Sequence, residues 1–489
     1  SELEKKMRRV KLDPESADDL AAATSHPRTK SLHRRWRQYQ HDIDVIEHAQ
    51  IRLRCERMFA GNGGEGPYDP GLFDAATHHA LATFEKKHDI MGWGHFTRAN
   101  IPVFAQDPLE SSHARFLRVL EERAVSAAGV VEDGSAASWQ SKFRWKDADG
   151  NEHALRDLVT EIREAVVAAL DVGTPQKGQE RLAALSDLDP SGFDGLLVAI
   201  KLPEKPAYYS EDMDLTAVID RGDVFYDFPY DAEGNKLRQV RKRYPHLNLY
   251  VLYRDQRIPL VHWRTTIGSW RTELHEGQVH LKYKESDVGE RVWKDIVAAP
   301  VWIPPEATPP KDILKRVYRD GRYQMVVNYD ETGPGFRSAY GLVAAYHIRQ
   351  YVGADGEIKG ELDNQIRTHG SVDYMSILRR YSHGCHRLYN MNAVRMFSMI
   401  LQHREYRREG QTSVGAARKF EYKDVEYLMK LPTRGYKYEL VEPIPVTVTE
   451  GRVRGTRKKP YEDMMPKPGV DYSEDEDAED AEDAEDATL

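Results

Sequence analysis

From Asp214 onward the hydrophobic pattern of the chain changes period. Before that point apolar residues recur at helical spacing, as in Leu155, Leu158, Val159, Ile162, Val166 and Leu170, which share one stripe of a helix. After it come short runs rich in Val, Ile, Tyr and Thr, such as LNLYVLY from Leu247 and QMVVNY from Gln324, broken by Gly, Pro and Asp clusters. A chain written this way folds as an α+β multi-domain protein, with a helical amino-terminal half and a β-rich domain behind it. The expected boundaries are a helical segment over 1–40, a helical domain over 41–100, a helical region and linker over 101–213, the β-rich domain over 214–445, and a basic linker with a disordered acidic tail over 446–489. No stretch approaches the ~18 consecutive apolar residues that a membrane span needs.

The net charge of −9 is a property of the tail alone. Ten acidic residues between Glu474 and Asp486 carry it, and the rest of the chain stands at +1. A near-neutral body argues against a nucleic-acid binder, which shows a strong basic excess. Like charges at the tail's density cannot collapse onto a core, so the tail is expected to be disordered and solvating, with a basic partner as the alternative. The two cysteines, Cys55 and Cys385, are too few and too far apart for a disulfide framework or a four-cysteine zinc site. Cys55, on an amphipathic helix, is read as a buried structural thiol. The sequence begins at Ser1 without a basic-then-apolar leader, and is read as a mature or trimmed form whose export signal is absent.

The chemistry concentrates in THGSVDYMSILRRYSHGCHRLYN, from Thr368 to Asn390. A free cysteine is only about 3% thiolate at pH 7, so a cysteine nucleophile needs a base or a positive dipole beside it. An imidazole such as that of His369 can serve if its other ring nitrogen is held by a hydrogen bond, which a backbone carbonyl at Gly370 or Ser371 can accept. Gly384 lets the chain turn sharply just before Cys385, so that successive amides can face the oxygen of a tetrahedral intermediate. The rival reading takes His369, His383, Cys385 and His386 as zinc ligands; their spacing does not match structural zinc sites, and no metal or other cofactor is expected.

The same segment resembles the signature of the L,D-transpeptidase catalytic domain, the YkuD type: a histidine-glycine pair followed by serine-x-glycine-cysteine-x-arginine. The matching residues are His369, Gly370, Ser382, Gly384, Cys385 and Arg387, with His383 a known variant and sixteen positions between His369 and Cys385. TTIGSW from Thr265 and PVWIPP from Pro300 extend the resemblance over roughly Asp214 to Tyr438. His386 departs from the aliphatic residue usual after the cysteine. The resemblance implies that Cys385 is the nucleophile and His369 the base oriented by the Gly370 carbonyl, with the amides of His383, Gly384 and Cys385 as oxyanion donors. It implies that Arg387 holds the site or a substrate carboxylate, while Ser382 either contacts substrate or braces the loop. Ser371, Tyr340, Arg337 and Trp302 complete the expected substrate contacts, and residues 346–365 look like an insertion forming a wall or lid.

Upstream, AQIRLRC, a glycine-rich turn and GLFDAATHHALATFEKKHDI resemble the small helical peptidoglycan-binding domain. Phe73 and Thr77 match its pattern, while Asp74 replaces a glycine and Glu85 a glutamine. Together the resemblances imply a cell-envelope or periplasmic enzyme acting on peptidoglycan stem peptides, with glycan as a further partner of 41–100. The reaction is transpeptidation, L,D-carboxypeptidation or attachment of a protein to the wall, and the different class is a catalytically inactive wall-binding scaffold.

Overall fold

The computed structural model describes residues 2–472 apart from 61–62, 89, 91–93, 98–99, 187–197, 320–321 and 373. The acidic tail, expected to be disordered, lies outside the described residues. The chain packs as two units, Ser1–Ser111 and Ser112–Leu489. No helix among the described residues is long and apolar enough to cross a membrane.

In the first unit the helices Lys30–Cys55 and Ala75–Lys87 bring Leu53, Ala80, Leu81 and Phe84 to a small core closed by Phe59 and Ile90. The intervening turn needs glycine: Gly64 sits at φ +99°, where a Cβ would lie 2.2 Å from the Arg57 carbonyl oxygen. Asp74 and Glu85, the two departures from the resembled pattern, both have local reasons. Asp74 caps the second helix by accepting from the Thr77 amide at 2.7 Å. Glu85 is buried and accepts from the Gly94 amide and the Asn100 side chain, each at 2.6 Å. Cys55 corrects the sequence reading, because it is exposed; two positions on from buried Leu53, it lies roughly 200° around the helix.

In the second unit the helical stripe packs as its spacing demands. Leu158, Val159, Ile162 and Val166 of the helix Leu158–Leu170 meet Val125 and Ala128 of the helix Pro108–Ala128. A small antiparallel hairpin, Arg144–Lys146 with Glu152–Ala154, interrupts a region read as helical.

The β-rich part is built on a nine-stranded mixed sheet. From one edge its strands run His386–Tyr389, Ile358–Ser371, Val343–Val352, Gly289–Ala298, Val425–Val448, Leu215–Asp220, His246–Tyr253 and Gln256–Arg264, with Tyr406–Tyr422 paired to Val425–Val448. The strand His386–Tyr389 pairs in parallel with Ile358–Ser371, setting His369 opposite Arg387. That parallel pair is covered by the helix Asn390–Gln402, whose Met396, Phe397 and Ile400 join Trp293, Ile296 and Leu388 in the main core. A second sheet holds Tyr381–Ser382, Ile267–His275, Gln278–Lys284 and Met465–Pro466.

Residues 346–365, read as an insertion forming a wall or lid, make up most of the hairpin Val343–Val352/Ile358–Ser371, and Asn364 and Gln365 at their carboxyl end line the cleft described below. One expectation changes here. The presumed linker after 445 is folded. Val446–Val448 continue a central strand beside Ala217–Ile219, and Arg452–Arg454 pair with Asp223–Phe225. Buried Asp223 fastens that segment by accepting from Arg452 Nε at 2.7 Å and Arg454 Nε at 3.1 Å.

Candidate active site

Cys385 stands in the loop between the strands Tyr381–Ser382 and His386–Tyr389, at the point where the two sheets meet. Its carbonyl is gripped by two hydroxyls: Ser382 Oγ donates to it at 2.5 Å and Thr266 Oγ1 at 2.7 Å. Thr266 Oγ1 also accepts from the Arg387 amide, and Thr265 Oγ1 donates to the Arg387 carbonyl, both at 3.0 Å. The Thr265-Thr266 pair of the TTIGSW segment therefore pegs the chain on both sides of the thiol. Gly384 has φ +117°, and a Cβ there would lie 2.8 Å from the Glu285 carbonyl oxygen, so only glycine fits the turn.

His369 lies at the buried end of its strand. Its Nδ1 is 2.7 Å from the Gly370 carbonyl oxygen, which can only accept, so Nδ1 carries the proton and Nε2 is left as the acceptor. Burial, reinforced by the Arg387 charge, pulls the His369 pKa down to about 3. Burial also pushes the Cys385 thiol up, against the opposing pull of the Arg367 amide and of the Arg367 and Arg387 charges. Both shifts favour a neutral thiol beside a neutral imidazole at rest.

The two residues line one cleft of about 660 Å³, together with Trp302, Tyr340, Gln365, Ser382, His383 and Arg387. Tyr340 packs edge-on against His369, ring centres 4.9 Å apart. Desolvation and the Arg271 and Arg387 charges lower the pKa of His383, whose side chain is exposed and whose Nε2 stands 4.0 Å from Glu273 Oε1.

Several expected roles change. Arg337 is exposed and is not among the residues lining the cleft, and Ser371 is buried within its strand. The Ser382 hydroxyl is engaged with the Cys385 carbonyl and the Gly384 amide, making it a brace. The Gly384 amide donates to Ser382 Oγ at 3.1 Å and is thereby withdrawn from the oxyanion donors. His386, weighed as a zinc ligand with Cys385, turns to the rear of the sheet, where its Nδ1 meets the Thr266 carbonyl at 3.1 Å.

Sequence reading missed Arg367. Two positions before His369, it stacks 3.6 Å over Tyr346 and takes a two-point contact with Asp363 at 2.6 and 2.8 Å. The period of two along the strand could have found it. It also missed buried Glu273, whose carboxyl burial pushes up and whose cationic neighbour is Lys284 at 3.1 Å.

Residues 242–419 match the family model of YkuD, the L,D-transpeptidase catalytic domain. This part of the chain is a YkuD domain. The match holds both Cys385 and His369 as well as Thr265 and Thr266, while the strand Leu215–Asp220 and the helical first unit fall outside it. No curated protein and no solved structure matches the chain. The YkuD family acts on peptidoglycan, and the matching model is that of its L,D-transpeptidase catalytic domain.

Proposed function

We propose that the chain is a cysteine-dependent L,D-transpeptidase of the cell envelope that forms 3→3 cross-links between peptidoglycan stems. The observation that supports the reading is Cys385 and His369 on one cleft, with Nδ1 of His369 engaged by the Gly370 carbonyl, which leaves Nε2 as the acceptor. Cys385 sulfur attacks the carbonyl between the L-centre of the diamino acid and the terminal D-alanine of a tetrapeptide stem, and its proton passes to His369 Nε2. The amides of His383 and Cys385 stabilise the oxyanion. Collapse breaks the C–N bond, D-alanine leaves with the proton from His369, and a thioester remains. An amine of a second stem then attacks the thioester, losing its proton through His369 as the thiol is restored. Tyr340 and Trp302 form walls for the stem, and Arg387 is placed to meet a carboxylate. No metal or organic cofactor enters any step.

The test is intact-protein mass spectrometry of the full chain after incubation with a disaccharide-tetrapeptide, with chromatography of products and a Cys385→Ala control. The expected result is a transient adduct on the parent chain, D-alanine release and a cross-linked dimer. A tripeptide product alone would instead mean an L,D-carboxypeptidase, and a mass increase on an added protein lysine would mean wall anchoring. A folded parent with neither adduct nor turnover would favour the wall-binding scaffold.

A further inference from the structure

On the rear of the catalytic strands, opposite the cleft, three fully buried side chains converge: Asp287, His347 and His386. His386 directly follows Cys385 and pairs in register with Thr368, which directly precedes His369. Side chains alternate along a strand, so Arg387 and His369 face the cleft while His386 and Thr368 face this second cluster. His386 Nε2 lies 3.4 Å from Asp287 Oδ1, and its Nδ1 lies 3.1 Å from the Thr266 carbonyl. His347 Nε2 lies 2.8 Å from Thr368 Oγ1 and accepts from Trp293 Nε1 at 3.1 Å. An indole N–H can only donate, so Nε2 of His347 is the bare nitrogen and Nδ1 bears the proton. That Nδ1 faces Asp287 Oδ2 at 3.1 Å, a close polar contact without hydrogen-bond alignment.

One carboxylate and two imidazoles are also a donor set that binds zinc. Two observations weigh against a metal here. The protonated Nδ1 of His347 offers no lone pair toward Asp287, and Arg291 Nε already stands 3.3 Å from Asp287 Oδ2. Burial alone would raise the Asp287 carboxyl, but His347 and His386 draw it below the usual range. Arg291 and the two imidazoles already surround this carboxyl with polar neighbours.

We propose that Asp287, His347 and His386 are positioning residues that lock the strand of the nucleophile to the strand of its base. The chain of contacts runs from His386, beside Cys385, through Asp287 and His347 to Thr368, beside His369. An aliphatic residue after the cysteine would leave Asp287 without this neighbour. The network accounts for His386 where the resembled pattern has an apolar residue. It rests on the cysteine mechanism proposed above.

The sign of one effect separates positioning from bulk electrostatics. The Asp287 charge raises the Cys385 pKa, so neutralising it without disturbing geometry makes the thiol more reactive, whereas loss of positioning makes it less so. The test measures the second-order rate of Cys385 alkylation by iodoacetamide at pH 8 in the full chain, with exposed Cys55 replaced by serine, and the melting temperature of each variant. Asp287→Asn and His386→Val are expected to react at least about tenfold more slowly while folded, and His386→Gln, whose side-chain amide can donate to Asp287, to regain most of the loss. An unchanged or faster rate in folded Asp287→Asn, or equal losses in His386→Gln and His386→Val, overturns the proposal. One equivalent of zinc in the isolated parent, removed by the same substitutions, also overturns it and makes the trio a metal site. If Asp287→Asn does not fold, the two His386 variants carry the comparison. Iodoacetamide needs no stem peptide, so a parent that alkylates but never cross-links would count against the proposed function and leave this test intact.

Discussion

Replacing Ser382 with alanine and Thr266 with valine, singly and together, probes how tightly the proposed nucleophile, Cys385, is held. The Ser382 hydroxyl is fully buried, donates to the Cys385 carbonyl and accepts from the Gly384 amide. Ser382→Ala therefore removes one donor from a carbonyl that keeps another, and leaves the Gly384 N–H facing no hydroxyl. The stranded amide dominates, at about 1–3 kcal/mol. Thr266→Val is its mirror image, removing the second donor and the hydroxyl that accepts from the Arg387 amide. In the double variant the Cys385 carbonyl loses both hydroxyls at once, so its cost should exceed the sum of the singles by about 0.5–3 kcal/mol. Each single variant should acylate about 10–100-fold more slowly, because a nucleophile misplaced by a fraction of an ångström loses most of its advantage. Thermal unfolding and the rate of adduct formation on a disaccharide-tetrapeptide measure the two effects. Additive stabilities within about 0.3 kcal/mol, or single variants acylating at the parent rate, would refute the shared grip on this carbonyl.

Acid should act through His369. Its imidazole titrates near 3 in the fold against an ordinary 6.5, so the folded state binds its proton more weakly than the unfolded chain does. The stability it contributes is fully present above about pH 6.5 and is lost as pH falls toward 3. The melting temperature of His369→Gln should fall less steeply than that of the parent between pH 6.5 and 4, and parallel slopes would contradict the buried neutral ring. Phe397, buried and 5.4 Å edge-to-face from Trp293, should cost about 3–5 kcal/mol on truncation to alanine. A loss under about 1 kcal/mol in denaturant titration would show that the helix over the catalytic strands is loosely packed. Asp223→Ala should free the segment around Arg452 to Lys459 for tryptic cleavage, since it removes the acceptor of both arginines and of the Lys242 and Arg243 amides. Cleavage at the parent rate would show that strand pairing alone holds the segment.

The candidate site was legible because its contacts are local. The carbonyl that orients His369 is one residue away, and the brace on Cys385 comes from Ser382 within the same motif. The period change at Asp214 likewise told where the sheet begins, and the stripe from Leu155 marked a helix face that does pack. What escaped depends on distant pairing. Asp287 and His386 are 99 positions apart, and nothing in either neighbourhood announces the other. The basic stretch after Glu450 looked like a linker because its charge is visible and its buried partner, Asp223, is 229 positions upstream. Arg337 sat beside Tyr340 in sequence, yet the turn between them leaves one exposed and the other against His369. Cys55 was assigned to the wrong side of its helix, since an amphipathic stripe fixes which face is apolar only to within a residue or two.

The neutral resting pair also bears on how long the proposed activity lasts. Peroxides and other soft oxidants attack thiolates far faster than thiols, and a cysteine carried to its sulfinic acid does not return without dedicated repair. Desolvation raises the Cys385 thiol, and on the proposed mechanism the imidazole of His369 draws its proton off only as a carbonyl arrives. That mechanism trades standing reactivity for durability: between turnovers the sulfur would be a poor target, and damage should track substrate traffic rather than time.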